Sequence, residues 1–250
     1  MPAVLITGAG RRAGIAAACA LALARDGWSV GLSCWRPYDR TNDPRSVDEE
    51  PAQLVEELRG LGVRAELAAA DLESASAPAA LFDALEPALG PFTALVAAHC
   101  HDVELSLLES TAEELDRHFA INARSVALLI GEFARRLPGD DGRIVGFTSD
   151  AVRNNVPYGS SKAALDRIVL AAASELGHRG IRANCVNPGP NETGWISENL
   201  RRQLLARAPL GRLSLPGDSA DLVSFLLSPR GGWISGQVLH SDGALGQPRA

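Results

Sequence analysis

Short apolar runs alternate with helical patterns along the whole chain, and this alternation constrains the fold more than any other feature. Runs with strand character lie at 3–7, 29–34, 64–69, 93–98, 142–148, 181–187 and 237–240. Amphipathic or apolar helical patterns occupy 13–26, 50–61, 76–89, 111–137, 157–179 and 216–228 between them. Parallel neighbours need a crossover, which a helix supplies, so strand-helix succession predicts an α/β fold with a parallel sheet and helices on both faces. A doubly wound arrangement commonly fills 250 residues as one domain, and no repeat or biased linker divides 1–250.

Two stretches break the rhythm. Trp35 to Asp48 is polar and carries two prolines, so it reads as a long loop after the second strand. Pro188 to Arg212 holds Trp195 and an Arg-rich helical segment near 197–207, with a substrate lid expected at about 190–212. Ligands of open α/β sheets lie beyond the carboxyl ends of the strands, so both stretches are expected to border the binding crevice.

The bulk composition excludes several classes of function. With 46% hydrophobic and 22% charged residues the chain has the profile of a folded globular protein, and a net charge of −6 gives no nucleic-acid footprint. The longest apolar run, 13–24, is too short to span a bilayer, strand character begins almost at Met1, and neither a membrane partner nor a targeting segment is expected. Cys19, Cys34, Cys100 and Cys185 are scattered singly, which suits reduced thiols in a cytoplasm.

The first strand is followed by Thr7-Gly8-Ala9-Gly10-Arg11-Arg12-Ala13-Gly14-Ile15-Ala16, a glycine-rich turn opening into a helix. Backbone N–H groups at such a helix start can approach a pyrophosphate because glycine removes the obstructing Cβ, although any tight strand-to-helix turn also favours glycine. The end of the second strand reads Cys34-Trp35-Arg36, with no acid to accept the ribose hydroxyls of NAD. Arg36, with Arg11 and Arg12 on the glycine turn, therefore favours NADP(H) over NAD(H), while Asp39 and Asp43 nearby argue the other way.

Lys162 is the only lysine among 24 basic residues, and it stands four residues after Tyr158, one of 2 tyrosines. A GC-rich genome accounts for the scarcity of lysine but not for this placement. In a helix starting near Pro157 the two side chains share one face. A phenol titrates too high for acid-base work at neutral pH. An ammonium about 4 Å away would favour the phenolate by about 4 kcal/mol at an effective dielectric near 20, roughly three pKa units before desolvation opposes it. Such pairs are also common on amphipathic helices, and spacing alone leaves both readings open.

In their order and placement these motifs resemble the short-chain dehydrogenase/reductase family over nearly the whole chain. The family's Tyr-x-x-x-Lys matches Tyr158 and Lys162, its Ser after the fifth strand matches Ser149, and its Asn on the preceding long helix matches Asn122. Its adenine-holding Asp matches Asp71, followed by Leu72, its Pro-Gly turn matches Pro188-Gly189, and the Thr that grips the nicotinamide carboxamide matches Thr193. The resemblance implies a single Rossmann-type domain with a seven-stranded parallel sheet, and a cofactor site including Gly8, Arg11, Arg12, Gly14, Ile15, Arg36, Asp71, Leu72, Ala97, Tyr158, Lys162, Pro188, Gly189 and Thr193.

The chain departs from the family pattern at three places. The glycine turn is two residues longer than usual between Gly8 and Gly14, and Ala16 replaces its last glycine. Ala97-Ala98-His99-Cys100 replaces the Asn-Asn-Ala-Gly stretch, whose support of the strand must come from elsewhere. Ser149 precedes Tyr158 by nine residues where the family places about four more between them, so the intervening loop is short and the substrate side is expected to be open. His99-Cys100-His101 offers imidazole and thiolate, but alternating positions face opposite ways and no further ligand is evident, so no metal is expected. His118, His178 and His240 are expected at helix surfaces or in the core, and Ser160 and Ser161 in packing or solvent roles.

The resemblance implies NADPH-dependent reduction of a ketone or other carbonyl to a secondary alcohol, with 3-oxoacyl thioesters, ketones of secondary metabolites, sugars and steroids as the candidate substrates, free or carrier-bound. Tyr158 would donate the proton, Ser149 would hold the oxygen, Lys162 would lower the phenol's pKa and bind ribose, and Asn122 would shape the water path. NAD-dependent alcohol oxidation and a non-catalytic dinucleotide sensor are the alternatives. The family assembles as homotetramers or homodimers through the helices matching 111–137 and 157–179.

Overall fold

The computed structural model describes residues 1–42, 47–152 and 154–246. Seven strands form one sheet: β1 (Ala3–Thr7), β2 (Ser29–Cys34), β3 (Ala65–Ala69), β4 (Ala94–Ala97), β5 (Gly142–Phe147), β6 (Ile181–Asn187) and β7 (Val238–His240). They run in the order β3-β2-β1-β4-β5-β6-β7, and every pair is parallel. Each of β1, β2, β4 and β5 is buried at every position, which is why these strands read as continuous apolar runs rather than as alternation.

The helices are α1 (Ile15–Arg25), α2 (Arg36–Asn42), α3 (Glu50–Gly60), α4 (Ala77–Leu89), α5 (Ala112–Phe119), α6 (Ser125–Arg136), α7 (Val156–Leu176), α8 (Glu198–Leu205) and α9 (Pro216–Leu227). On one face of the sheet α1, α3 and α9 bury Leu23, Leu54, Leu58 and Val223 with Val4, Ile6 and Val30. On the other, α4, α6 and α7 bury Phe82, Phe133 and Leu165 with Leu5, Leu95 and Ile144. Alanine-rich α1 lies along α9, where its small side chains permit close approach. Phe82 meets Phe92 edge to face at 5.7 Å, and each fully buried ring contributes about 1.5–3 kcal/mol relative to exposure.

Two local differences separate the fold from its sequence pattern. Positions 111–137, which read as one helix, are α5 and α6 joined by a π-helical turn at Ala120–Arg124 that contains Asn122. The polar stretch expected as a loop contains α2, because Pro37 near its start presets a helical φ and Arg36 pairs with Asp39 at 3.2 Å. Asp43 lies outside the described residues. Strand order reverses between β1 and β4, and the crevice opens above that switch point.

Candidate active site

The glycine turn forms the floor of a cavity of about 790 Å³ that runs from Asp71 and Leu72 past Gly8, Gly14 and Ile15 to Tyr158, Pro188, Gly189 and Thr193. Gly8 has a φ of +84°, and a Cβ there would lie 2.7 Å from the His99 backbone, so the turn accepts only glycine. Gly14 caps α1 without a side-chain hydrogen bond, which leaves first-turn N–H groups facing the turn for an anion. Ala16 is buried and packs with the core, and it also lines the cavity.

The three arginines lie differently from one another. Arg11 donates to the Thr193 carbonyl at 3.0 Å and lies 4.3 Å over the Trp195 ring, joining the glycine turn to the lid. Arg12 turns outward into a two-oxygen pair with Glu57 on α3, at 3.0 and 2.9 Å. Arg36 donates to the Gly10 carbonyl at 2.7 Å and reaches Asp39 and Asp48. Asp39, 8% exposed, presses its carboxylate onto Gly10, and burial holds it above the usual carboxylate range against the pull of Arg36 and Arg11. Of the β4 segment, Ala97 is buried within the sheet between Thr7 and Gly146, while Ala98, His99 and Cys100 line the cavity.

His99 supplies the support that the replaced stretch lacks. Its Nε2 lies 3.0 Å from the Ile121 carbonyl and 2.8 Å from Ser125 Oγ. A carbonyl can only accept, so Nε2 carries the proton and Nδ1 accepts from Thr7 Oγ1 at 2.6 Å. Thr7 Oγ1 in turn accepts from the Ala98 N–H at 3.2 Å. The ring thus ties β1 to the π-helical turn beside Asn122. Burial, with the Lys162 charge adding to it, lowers its pKa to about 3 and keeps it neutral.

Of the four residues singled out for catalysis, Tyr158 lines the cavity, whereas Asn122, Ser149 and Lys162 are not among its lining residues. Asn122 is fully buried, accepts from the His101 N–H at 2.7 Å and donates to the His101 carbonyl at 2.8 Å and to Ser161 Oγ at 2.9 Å. Ser161 is therefore a buried link and not a solvent residue, while exposed Ser160 bonds back to Val156. Lys162 Nζ donates to the Phe147 carbonyl at 2.9 Å and stands 5.7 Å from the Tyr158 ring centre. Desolvation lowers the Lys162 pKa. Tyr158 keeps part of its surface on the cleft, yet desolvation, and then Cys100 and Asp102, hold its phenol well above the ordinary value. A Ser149 hydrogen bond acts in the opposite direction. The phenol pKa is thus raised, chiefly by burial, and not lowered as the sequence led one to expect.

Sequence reading passed over several residues of the site. Tyr38, from α2, receives the Asp102 N–H at 3.2 Å and meets the His101 ring edge-on at 5.7 Å, so both tyrosines of the chain line one cavity. The short loop before α7 lays the Ala151 carbonyl on Gly159, where a Cβ would lie 2.0 Å from that oxygen. His101, Glu114 and His118 come within 4.8 Å of one another. His118 is fully buried, and its Nδ1 donates to the Glu114 carbonyl at 2.7 Å while its Nε2 accepts from the Val103 N–H at 3.2 Å. No lone pair of that ring is left for an ion. Among the described residues no helix is long and apolar enough to cross a membrane.

The chain is similar to many known proteins along its whole length. A family model described as enoyl-(acyl carrier protein) reductase matches residues 8–245. The uncharacterized oxidoreductase YjdA of Bacillus subtilis is 32% identical over 96% of this chain and 94% of its own. A short chain dehydrogenase of Burkholderia cenocepacia, solved with NADP, superposes with a TM-score of 0.87 at 29% identity, covering 98% and 97% of the two chains. The angucycline C-6 ketoreductase LanV, solved with NADP, gives a TM-score of 0.86 at 28% identity over 97% and 94%. The seven-stranded parallel sheet agrees with these likenesses, and the match covers nearly the whole chain: the chain belongs to the short-chain dehydrogenase/reductase family of NAD(P)-dependent oxidoreductases.

Proposed function

We propose that this protein reduces a small ketone to a secondary alcohol with NADPH. The observation that carries the reading is the phenol of Tyr158 hydrogen-bonded to Ser149 at the inner end of the cavity, with Lys162 one helical turn behind it. The NADP-bound relatives, one of them a ketoreductase, support the cofactor and the reaction class.

The residues present fit a nicotinamide dinucleotide. Gly8, Gly14 and Ile15 would hold its pyrophosphate, Asp71 and Leu72 its adenine end, and Thr193 with Pro188 and Gly189 its nicotinamide end. Arg36 would face the 2′-phosphate side, while Arg11, engaged with Thr193 and Trp195 of the lid, and Arg12, paired with Glu57, would contribute little there. When bound, the dinucleotide supplies the hydride, and the protein supplies orientation and a proton. Ser149 Oγ holds the carbonyl oxygen and Tyr158 donates the proton to it. A phenol held protonated by its surroundings suits that donor role. The Lys162 ammonium stabilises the phenolate left behind, and Asn122 holds the His101 backbone beside it.

In the lid Arg201 pairs with Glu192 at 2.7 Å, and Trp195 lies under Arg11, which favours a free ketone over a carrier-bound thioester. Assembly through α5, α6 and α7 belongs to the same reading. A second reading, NAD-dependent oxidation of an alcohol, draws on Asp39, whose carboxylate beside Gly10 could accept ribose hydroxyls. The test is titration with NADPH and NADH, followed by NADPH consumption over a panel of ketones. Tyr158→Phe is expected to keep dinucleotide binding and to lower turnover by roughly a hundredfold or more, the usual worth of a positioned proton donor. Near-normal turnover in that variant would remove Tyr158 as the acid, and tighter binding of NADH would favour the second reading.

A further inference from the structure

Asp102, in the loop after β4, lines the same cavity as Tyr158 and is half-buried. Two bonds fix its place. Its N–H donates to the Tyr38 hydroxyl at 3.2 Å, and its Oδ1 accepts from Nδ2 of Asn155, the residue that caps α7 just before Tyr158, at 2.9 Å. The carboxylate is thereby tethered to the helix that carries the phenol. Among the described residues no cation pairs with it. Of the arginines that line the cavity, Arg11 is engaged with Thr193 and Trp195, and Arg117 with Glu73 and Glu114. The charge of Asp102 is felt at the phenol, where it stands after burial and Cys100 among the causes that hold the pKa up. A negative charge facing a phenol that must pass through phenolate opposes the proton transfer. An uncharged side chain would avoid that cost, so the carboxylate points to a compensating role toward the substrate.

We propose that Asp102 is a specificity-determining residue that selects hydroxyketones, its second oxygen accepting a hydrogen bond from a substrate hydroxyl close to the carbonyl that Tyr158 protonates. The inference rests on the reading of the cavity as the site of a small-ketone reductase. The chemistry selects the partner. A carboxylate only accepts, and Asn155 occupies one of its oxygens, so the complement on the substrate is a donor. A hydroxyl supplies the donor and draws the negative charge away from the phenol. An alkyl group in the same place leaves the carboxylate desolvated without a partner, and a substrate carboxylate is repelled. A substrate ammonium would also donate, but the same corner already holds the buried charge of Lys162, which Asp102 supports and which disfavours a second cation. The selected donor is therefore a neutral hydroxyl.

The experiment measures kcat/KM with NADPH for ketones matched in shape. Hydroxyacetone, butanone and pyruvate carry a hydroxymethyl, an ethyl and a carboxylate group on the same acetyl unit, and 4-hydroxy-2-butanone with 2-pentanone places the hydroxyl one carbon farther out. Wild type and Asp102→Asn are compared as ratios within each protein, so that a general loss of activity cancels. Wild type is expected to prefer the hydroxyl in at least one pair by roughly ten- to a hundredfold, the worth of a hydrogen bond to a charged group, and to disfavour pyruvate against butanone. Asp102→Asn is expected to cut the hydroxyl preference by roughly fivefold or more and to raise pyruvate relative to butanone. Asp102→Ser replaces it should the asparagine variant fail to give a cooperative melt. A wild type indifferent to the hydroxyl overturns the role. So does a variant that loses activity on every ketone alike with its ratios intact, which would mean that Asp102 acts through the Lys162 charge. Failure of wild type to reduce any of these ketones overturns the small-ketone reading itself, a result distinct from unselective turnover.

Discussion

His99 shows how one replaced residue can carry both architecture and pH dependence. The ring joins Thr7 to Ile121 and Ser125, so the turn that holds Asn122 depends on a neutral imidazole. Its pKa falls from 6.5 to about 3 on folding, through burial first and the charge of Lys162 second. The unfolded chain therefore binds one more proton than the folded protein between those values. Stability from this group is complete above about pH 6.5 and declines as pH falls toward 3, by about 1.4 kcal/mol per unit. Denaturant unfolding from pH 4 to 7 is expected to show this slope. His99→Gln, which keeps a donor toward Ile121 without a titrating ring, is expected to flatten it by about one proton. Identical slopes would mean that other groups cause the acid lability. The sequence made the replacement at 97–100 visible, but the partner of the ring lies on a distant helix, and local spacing carries no trace of it.

At the scale of elements, α7 and the loop before it act as one unit. Tyr158 and Lys162 share a face because they are one turn apart, and this much is legible from spacing. The role of Gly159 is not, because it comes from the shortened loop that brings the Ala151 carbonyl against the helix. Ala151 N–H also bonds Ser149 Oγ at 3.2 Å, so the same loop sets Ser149 relative to Tyr158. Helix propensity alone would make Gly159→Ala stabilising by about 1 kcal/mol. The close approach leads to the opposite expectation: the variant unfolds more easily and loses turnover, because the loop and Ser149 are pushed off the helix. A gain in melting temperature with full activity would refute the coupling. The alternation of strands and helices was legible for a related reason, since buried parallel strands and their crossovers leave periodic apolar runs. Helix α2 and the π-helical turn were not, as the first is held by Arg36 and Asp39 within a polar stretch and the second by the contacts of Asn122.

In the whole molecule the crevice above β1 and β4 gathers parts that are far apart in sequence: the glycine turn, α2, the ends of β3 and β4, α7 and the lid. Arg11 bridges the first of these to the last, and Arg36 fastens α2 to Gly10, so the two sides of the crevice are joined through groups that a phosphate would also attract. A ligand that binds only the folded protein stabilises it by RT ln(1 + [L]/Kd), about 2.7 kcal/mol at a hundredfold excess over Kd. For a chain of 250 residues that corresponds to a rise in melting temperature of roughly 5–10 °C. NADPH is expected to give a larger rise than NADH at equal concentration, since only the former offers a 2′-phosphate to the guanidinium of Arg36. Arg36→Ala is expected to reduce the NADPH shift toward the NADH value while leaving the NADH shift nearly unchanged. Equal reduction of both would mean that Arg36 acts by holding α2 against Gly10 rather than by reading the phosphate, and Asp39 would then become the residue that sets the choice of dinucleotide.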